Sequence, residues 1–266
     1  LRKHISEEKI SRMKIFSRIA AVVLISMTAI ASVAAQNIDV VRRAAERGDA
    51  GAQTDLGYAY ANGRGVAPNQ VLAVMWYRKA AEQGNAVAQT NLGYAYANGL
   101  GARLDSKQAV EWFRKAAEQG YASAQCNLGA MYTTGVGVPR DLKQALFWLQ
   151  KAAAQGNVMA QYNLGVLYTE NKGIPPDFKT GADWFLKAAM QGNTDAQNNL
   201  GSLYANGNGV PKDFVQAFYW LDIAAQKGDN VAAEKRDRVM DKMTDPQLNE
   251  ALRLLEERER RKAKVK

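Results

Sequence analysis

A chain of 266 residues with 47% hydrophobic side chains can bury a substantial core. Its formal net charge of +9 is accompanied by a single cysteine and a single histidine. Cys126 alone excludes an internal disulfide framework and any metal cluster built on cysteines, and His4 sits where a leader would be removed.

The positive charge is concentrated at the two ends. Residues 1–35 hold Arg2, Lys3, Lys9, Arg12, Lys14 and Arg18 against Glu7 and Glu8. The segment 234–266 is also rich in Lys and Arg, so the body between them is close to neutral. No continuous basic face for nucleic acid follows from this distribution.

In chain order, the first predicted element is an address. Met13 to Arg18 is short and basic, Ile19 to Ala35 is apolar, and Val33 and Ala35 place small residues before a cut at Gln36. That order is the pattern of a secretory signal peptide. Residues 1–35 are therefore expected to be a leader with its start at Met13. Cleavage is expected after Ala35, or else after Ala34, with a periplasmic or secreted product and no stable membrane insertion afterwards. The alternative is an N-terminal membrane anchor, because the apolar run is at the lower limit for a span. The absence of a cysteine after the run excludes a lipoprotein. Residues 36–48 (Ile38, Val41, Ala44, Ala45, Gly48) are expected to form a capping helix.

From Asp49 to Gly228 the chain repeats itself every 36 residues. Trp76, Trp112, Trp148, Trp184 and Trp220 keep that step, as do the Leu-Gly pairs beginning at Leu56, Leu92, Leu128, Leu164 and Leu200. Tyr60, Tyr96, Tyr132, Tyr168 and Tyr204 follow it, and so do five Ala-Gln pairs beginning at Ala52. Each unit reads as two helices. In unit one, Ala52, Leu56 and Tyr60 form an apolar stripe over about 52–62, and Ala73, Trp76, Tyr77 and Ala80 form another over about 70–83. A Gly-x-Gly turn joins the two helices. Asp105, Asp141, Asp177 and Asp213 stand where an N-cap is wanted, and Gly84 ends the second helix. Glycine inside the first helix costs about 1 kcal/mol relative to alanine, so its recurrence predicts helices too close for a Cβ. The tryptophan column is expected to be core.

The pattern Ala-Gln-x-x-Leu-Gly-x-x-Tyr, Gly-x-Gly-Val-Pro-x-Asp, Ala-x-x-Trp and Lys-Ala-Ala-x-x-Gly resembles the Sel-1-like repeat, a relative of the tetratricopeptide repeat. Departures are small: Asn69 replaces the aspartate, Gly181 replaces an alanine, and Asn171-Lys172-Gly173 alters the fourth turn. The fold class expected is all-α, an α/α solenoid of five 36-residue helix-turn-helix repeats (49–228) with helical caps. Residues 229–266 would supply the C-terminal capping helices. Their basic end, from Arg258 to Lys266, would be a solvated tail or a contact for an anionic surface.

The resemblance implies a scaffold that binds a protein or peptide, with no cofactor and no metal. By tetratricopeptide analogy the first helices line a concave face and expose the positions two before and two after each Leu. These are Thr54 and Tyr58, Thr90 and Tyr94, Cys126 and Ala130, Tyr162 and Val166, and Asn198 and Ser202. Asp55, Asn91, Asn127, Asn163 and Asn199 form a constant polar column, for bonds between units or for a peptide backbone. A chain without histidine after the leader has no Ser-His-Asp or Cys-His triad and no His-built metal site. The rival reading is a β-lactam-type hydrolase, an activity described for cysteine-rich relatives, whose disulfide in each repeat this chain lacks.

Overall fold

The computed structural model describes residues 38–170 and 173–264. The leader expected over 1–35 lies outside them, as do Asn171 and Lys172 of the fourth turn. Every regular element among the described residues is helical. Residues 38–46 are helical (α1), and the first repeat follows as α2 (Ala50–Asn62) and α3 (Gln70–Glu82). Next come α4 (Ala86–Asn98) and α5 (Ser106–Glu118), α6 (Ala122–Thr134) and α7 (Leu142–Ala154), then α8 (Val158–Thr169) and α9 (Phe178–Met190). The fifth repeat is α10 (Thr194–Asn206) and α11 (Phe214–Ala225), followed by α12 (Asn230–Met240) and α13 (Asp245–Ala263). No helix among the described residues is long and apolar enough to cross a membrane.

The chain divides into two compact units, one up to Trp112 and one from Phe113 onward. In each, helices pack chiefly on their sequence neighbours, the pairs α2–α3, α6–α7, α8–α9 and α10–α11 most extensively. Short connections make such neighbours hairpins. The connection is held the same way each time. The N-cap amide of the second helix donates to the carbonyl of the tyrosine column, as from Asp141 to Tyr132 at 3.0 Å and from Asp213 to Tyr204 at 3.0 Å. Asp141 then accepts from the Lys143 and Gln144 amides, and Asp213 from Gln216. Asn69 does the same work toward Leu72, so the missing aspartate of the first turn costs no cap. The first helices are capped in turn by Asp49, Asn85, Asn157 and Asn193, while Tyr121 offers α6 no side-chain cap.

Gly57, Gly129, Gly165 and Gly201, within first helices, do answer to close packing. A Cβ on Gly165 would lie 2.5 Å from the Phe185 ring, and one on Gly129 would lie 2.7 Å from Leu149. Those distances are below any real carbon contact, so the helices of a hairpin touch through the missing methyl. The residue filling that space is not the tryptophan but its successor. The column Tyr77, Phe113, Leu149, Phe185 and Leu221 is buried throughout, at 0% exposure for Leu149 and Leu221. The tryptophans are less buried than expected: Trp76 and Trp220 are covered, but Trp112, Trp148 and Trp184 are only half-buried. Trp184 and Trp220 sit where their own hairpin meets the preceding repeat. Trp184 packs on the cluster of Leu149, Ala152, Ala153 and Leu164, and Trp220 on that of Ala182, Phe185 and Ala188. The Lys187 ammonium stands 4.0 Å from the Trp184 ring centre, a cation–π contact suited to a ring half in water.

Gly181 also has a local reason, since a Cβ there would meet the Thr169 methyl at 2.4 Å. At the C-terminal end, Thr244 donates its amide to Gln247 Oε1 at 2.9 Å and opens α13, which packs on α11. Arg253 pairs with Glu250 and Glu257, and Lys262 with Glu259. From Arg258 to Ala263 the basic segment is helical, with much of its charge matched by nearby glutamates.

Candidate functional site

The positions flanking each first-helix leucine do not share one environment. Thr54, Thr90 and Cys126 were expected to be exposed, and they are buried, at 7%, 8% and 5% exposure. Thr54 Oγ1 donates to the Ala50 carbonyl at 2.7 Å and Thr90 Oγ1 to Ala86 at 2.8 Å, so both hydroxyls are spent within their own helices. Burial pushes the Cys126 thiol up to about 11, which makes it a poor nucleophile. Its sulfur accepts from Asn163 Nδ2 at 3.9 Å, a bond between successive units of the kind expected for the asparagine column. Tyr162 is half-buried and tilted against Phe185 with ring centres 5.9 Å apart.

Tyr58 and Tyr94 are placed otherwise. They stand at equivalent positions of the first two repeats, and 42% and 55% of their surfaces face solvent. Their main-chain carbonyls accept from Asn62 and Asn98, one turn on, which leaves the rings outward on stiff helix. The Arg64 guanidinium lies 4.9 Å from the Tyr58 ring centre. Beside it is a depression of about 360 Å³ with Ile38, Val41 and Ala59 as apolar wall and Asp55 and Arg64 as charged rim. Such a surface receives an apolar side chain and offers a hydroxyl, a carboxylate and a guanidinium around it.

Asn198 and Ser202 form a separate group in the second unit. Asn198 Nδ2 donates to Asp229 at 2.8 Å, and Lys235 Nζ donates to Asn198 Oδ1 at 2.7 Å and to Ser202 Oγ at 3.0 Å.

One column was read only as part of the repeat motif and proves structural. Gln53, Gln89, Gln125, Gln161 and Gln197 are all buried. Each donates to a carbonyl eight residues earlier, as from Gln125 to Ala117 at 3.1 Å and from Gln161 to Ala153 at 3.3 Å. Within the second unit, Gln155 donates to Gln125 Oε1 and Gln191 to Gln161 Oε1, both at 2.8 Å. The result is a polar ladder in which each rung joins glutamines thirty residues apart. A glutamine repeated among alanines and leucines was the available signal, because a buried amide needs partners on both its atoms.

The fold and these columns define an α/α repeat solenoid built for contact surfaces. The Sel1 repeat model matches residues 50–85, 86–121, 122–157, 158–193 and 194–229, and the chain belongs to the Sel1 repeat family. Among solved structures, a Sel1 repeat protein from Oxalobacter formigenes is 40% identical with a TM-score of 0.69, over 76% of this chain and 58% of its own. Uropathogenic Escherichia coli c5321, described as a protective antigen with an SLR fold, is 38% identical with a TM-score of 0.69, over 73% of this chain. This chain covers 42% of c5321, so it spans less than two thirds of either relative. A Klebsiella pneumoniae sel1 repeat protein is 25% identical with a TM-score of 0.53, over 76% of this chain and 99% of its own. No curated protein matches the sequence. Sel1 repeat solenoids are generally scaffolds for protein–protein interaction and typically not enzymes.

Proposed function

We propose that this chain is an exported adaptor that holds a protein or peptide partner on the face carried by the first helices of its repeats, in envelope signalling or host contact. The observation that carries the reading is the pair Tyr58 and Tyr94, two large exposed aromatics in one register on rigid helices. Aromatic residues of this kind dominate binding energy because they supply area and a hydroxyl at low entropic cost. Thr54, Thr90 and Cys126 have no part in the surface, since their side chains are buried. Asn198 and Ser202 lie in the second unit and are held there by Lys235, so they are no part of the tyrosine surface. The periplasmic or secreted location rests on the basic, apolar, small-residue order of Met13–Ala35. It also accords with c5321, a protective antigen.

The test is capture from an envelope extract with the mature chain as bait. Replacing both tyrosines (Tyr58→Ala, Tyr94→Ala) is expected to weaken capture about tenfold or more, with helicity and melting nearly unchanged. Undiminished capture by the folded double variant overturns the first-helix surface. Mass spectrometry of the exported protein is expected to find a chain beginning at Gln36 or Ala35, and an intact leader would mean an anchor.

A further inference from the structure

The C-terminal end of the second unit carries a depression that the tyrosine surface does not use. It lies where α10, α11 and α12 meet and measures about 360 Å³. Phe214, Leu221 and Val239 give it an apolar lining. Ser202, Lys235, Arg238 and Lys242 give it a polar and cationic one, without a carboxylate among the lining residues.

Most of the acids nearby are already engaged, Asp241 standing exposed beside Lys242 in the chain. Asp222 and Asp237 are held by Arg236 at 3.0 and 2.7 Å, and Asp229 accepts from Asn198. Glu234 meets Arg238 at 3.5 Å across exposed helix surface, a weak pair. Lys235 is different from these. Its ammonium is half-buried and donates to an amide oxygen and a hydroxyl, both neutral, which leaves one of its three donors over. Burial holds its pKa below the ordinary lysine range, with the Asp229 charge opposing and Arg238 adding. A cation kept partly out of water, with neutral hydrogen-bond partners and Asp229 acting on it only through its charge, is stabilised by an arriving anion more than an exposed one would be.

We propose that this depression is a recognition site for an acidic peptide segment. A side-chain carboxylate is taken by Lys235 with Lys242 and Arg238, and a neighbouring apolar side chain is seated on Phe214, Leu221 and Val239. The site rests on the scaffold reading but not on Tyr58 or Tyr94. Charge complementarity selects the carboxylate, and the apolar lining selects a peptide over a free inorganic anion.

The probe is a blocked peptide, acetylated and amidated, of alternating leucine and glutamate, followed by fluorescence polarisation on the mature chain. Saturable binding is expected. It is expected to fall at least tenfold when glutamine replaces glutamate in the peptide, and at least tenfold in Lys235→Met. The exposed pair Arg238→Glu with Lys242→Glu is expected to abolish it without loss of helicity, which covers the case in which Lys235→Met fails to fold. The Tyr58→Ala, Tyr94→Ala variant is expected to bind this peptide as the parent does, so the two surfaces fail separately. Equal binding of the glutamine peptide overturns the proposal, as does unchanged affinity in the folded charge-reversal variant. Tighter binding of a glutamate-free peptide with a free C-terminus overturns it too, and so does equal binding of inorganic phosphate.

Discussion

The third and fourth repeats and the C-terminal end of the same unit solve one problem in two ways. In the former, Gln125 and Gln161 donate to a carbonyl behind and accept from Gln155 and Gln191 ahead, so each buried amide has partners on both atoms. In the fifth repeat the register calls for glutamine and the chain supplies Lys227. Its ammonium keeps the bond to the Gly192 carbonyl, at 2.7 Å, that Gln155 and Gln191 make to Gly120 and Gly156. Gln197 Oε1 is left buried and without a partner, and so is Trp220 Nε1 in the same repeat. Past that point single polar contacts replace the ladder: Arg236 with Asp222, and Lys235 with Asn198 and Ser202. Periodic partners satisfy periodic groups, so where the period stops the chain must satisfy them ad hoc. The side chains recruited there are charged.

The largest expected effect tests the packing common to both regions. Leu149→Ala in the third repeat is expected to cost about 3–4 kcal/mol by denaturant unfolding, because the side chain is wholly buried. Its neighbour Trp148 is half-buried, and Trp148→Ala is expected to cost only ~1–2 kcal/mol. A larger loss from Trp148 than from Leu149 would reverse the assignment of the two columns.

The second test separates the regions directly. Gln161→Met removes a bond to the Ala153 carbonyl and one from the Gln191 amide, leaving each with its bond to Gly156, and is expected to cost about 2 kcal/mol. Gln197→Met loses one bond to Ala189 but also removes an unpartnered oxygen, and is expected to cost less than about 1 kcal/mol. Equal losses would mean that the ladder is no more complete in the middle than at the end. In the same direction, Lys227→Gln is expected to raise stability by about 1 kcal/mol by giving Gln197 its missing donor.

The smallest effect is chemical. The Cys126 thiol, raised from 9.0 to about 11 by burial, favours its neutral form in the folded state. Alkylation of native protein between pH 8 and 10 is therefore expected to be much slower than in denaturant, where the thiolate forms near its ordinary value. Rapid native labelling at pH 8 would contradict the burial.

The repeat length, the helical class, the turns and most second-helix caps were readable in the residues, because each depends on contacts a few positions apart. Asp141 caps the helix that follows it through amides two and three residues on, and Gly129 announces a missing Cβ wherever it recurs. The depth of each column could not be read that way. Adjacent helix positions differ by about 100° in direction, and which of Trp148 and Leu149 is covered depends on where the next hairpin stacks. Thr54 and Tyr58 lie one helical turn apart beside the same leucine, yet one is buried and the other exposed. Spacing along the helix does not distinguish the two. The glutamine ladder lay furthest from view. Its bonds join residues thirty apart, and only the stacking of one repeat on the next brings those amides within reach.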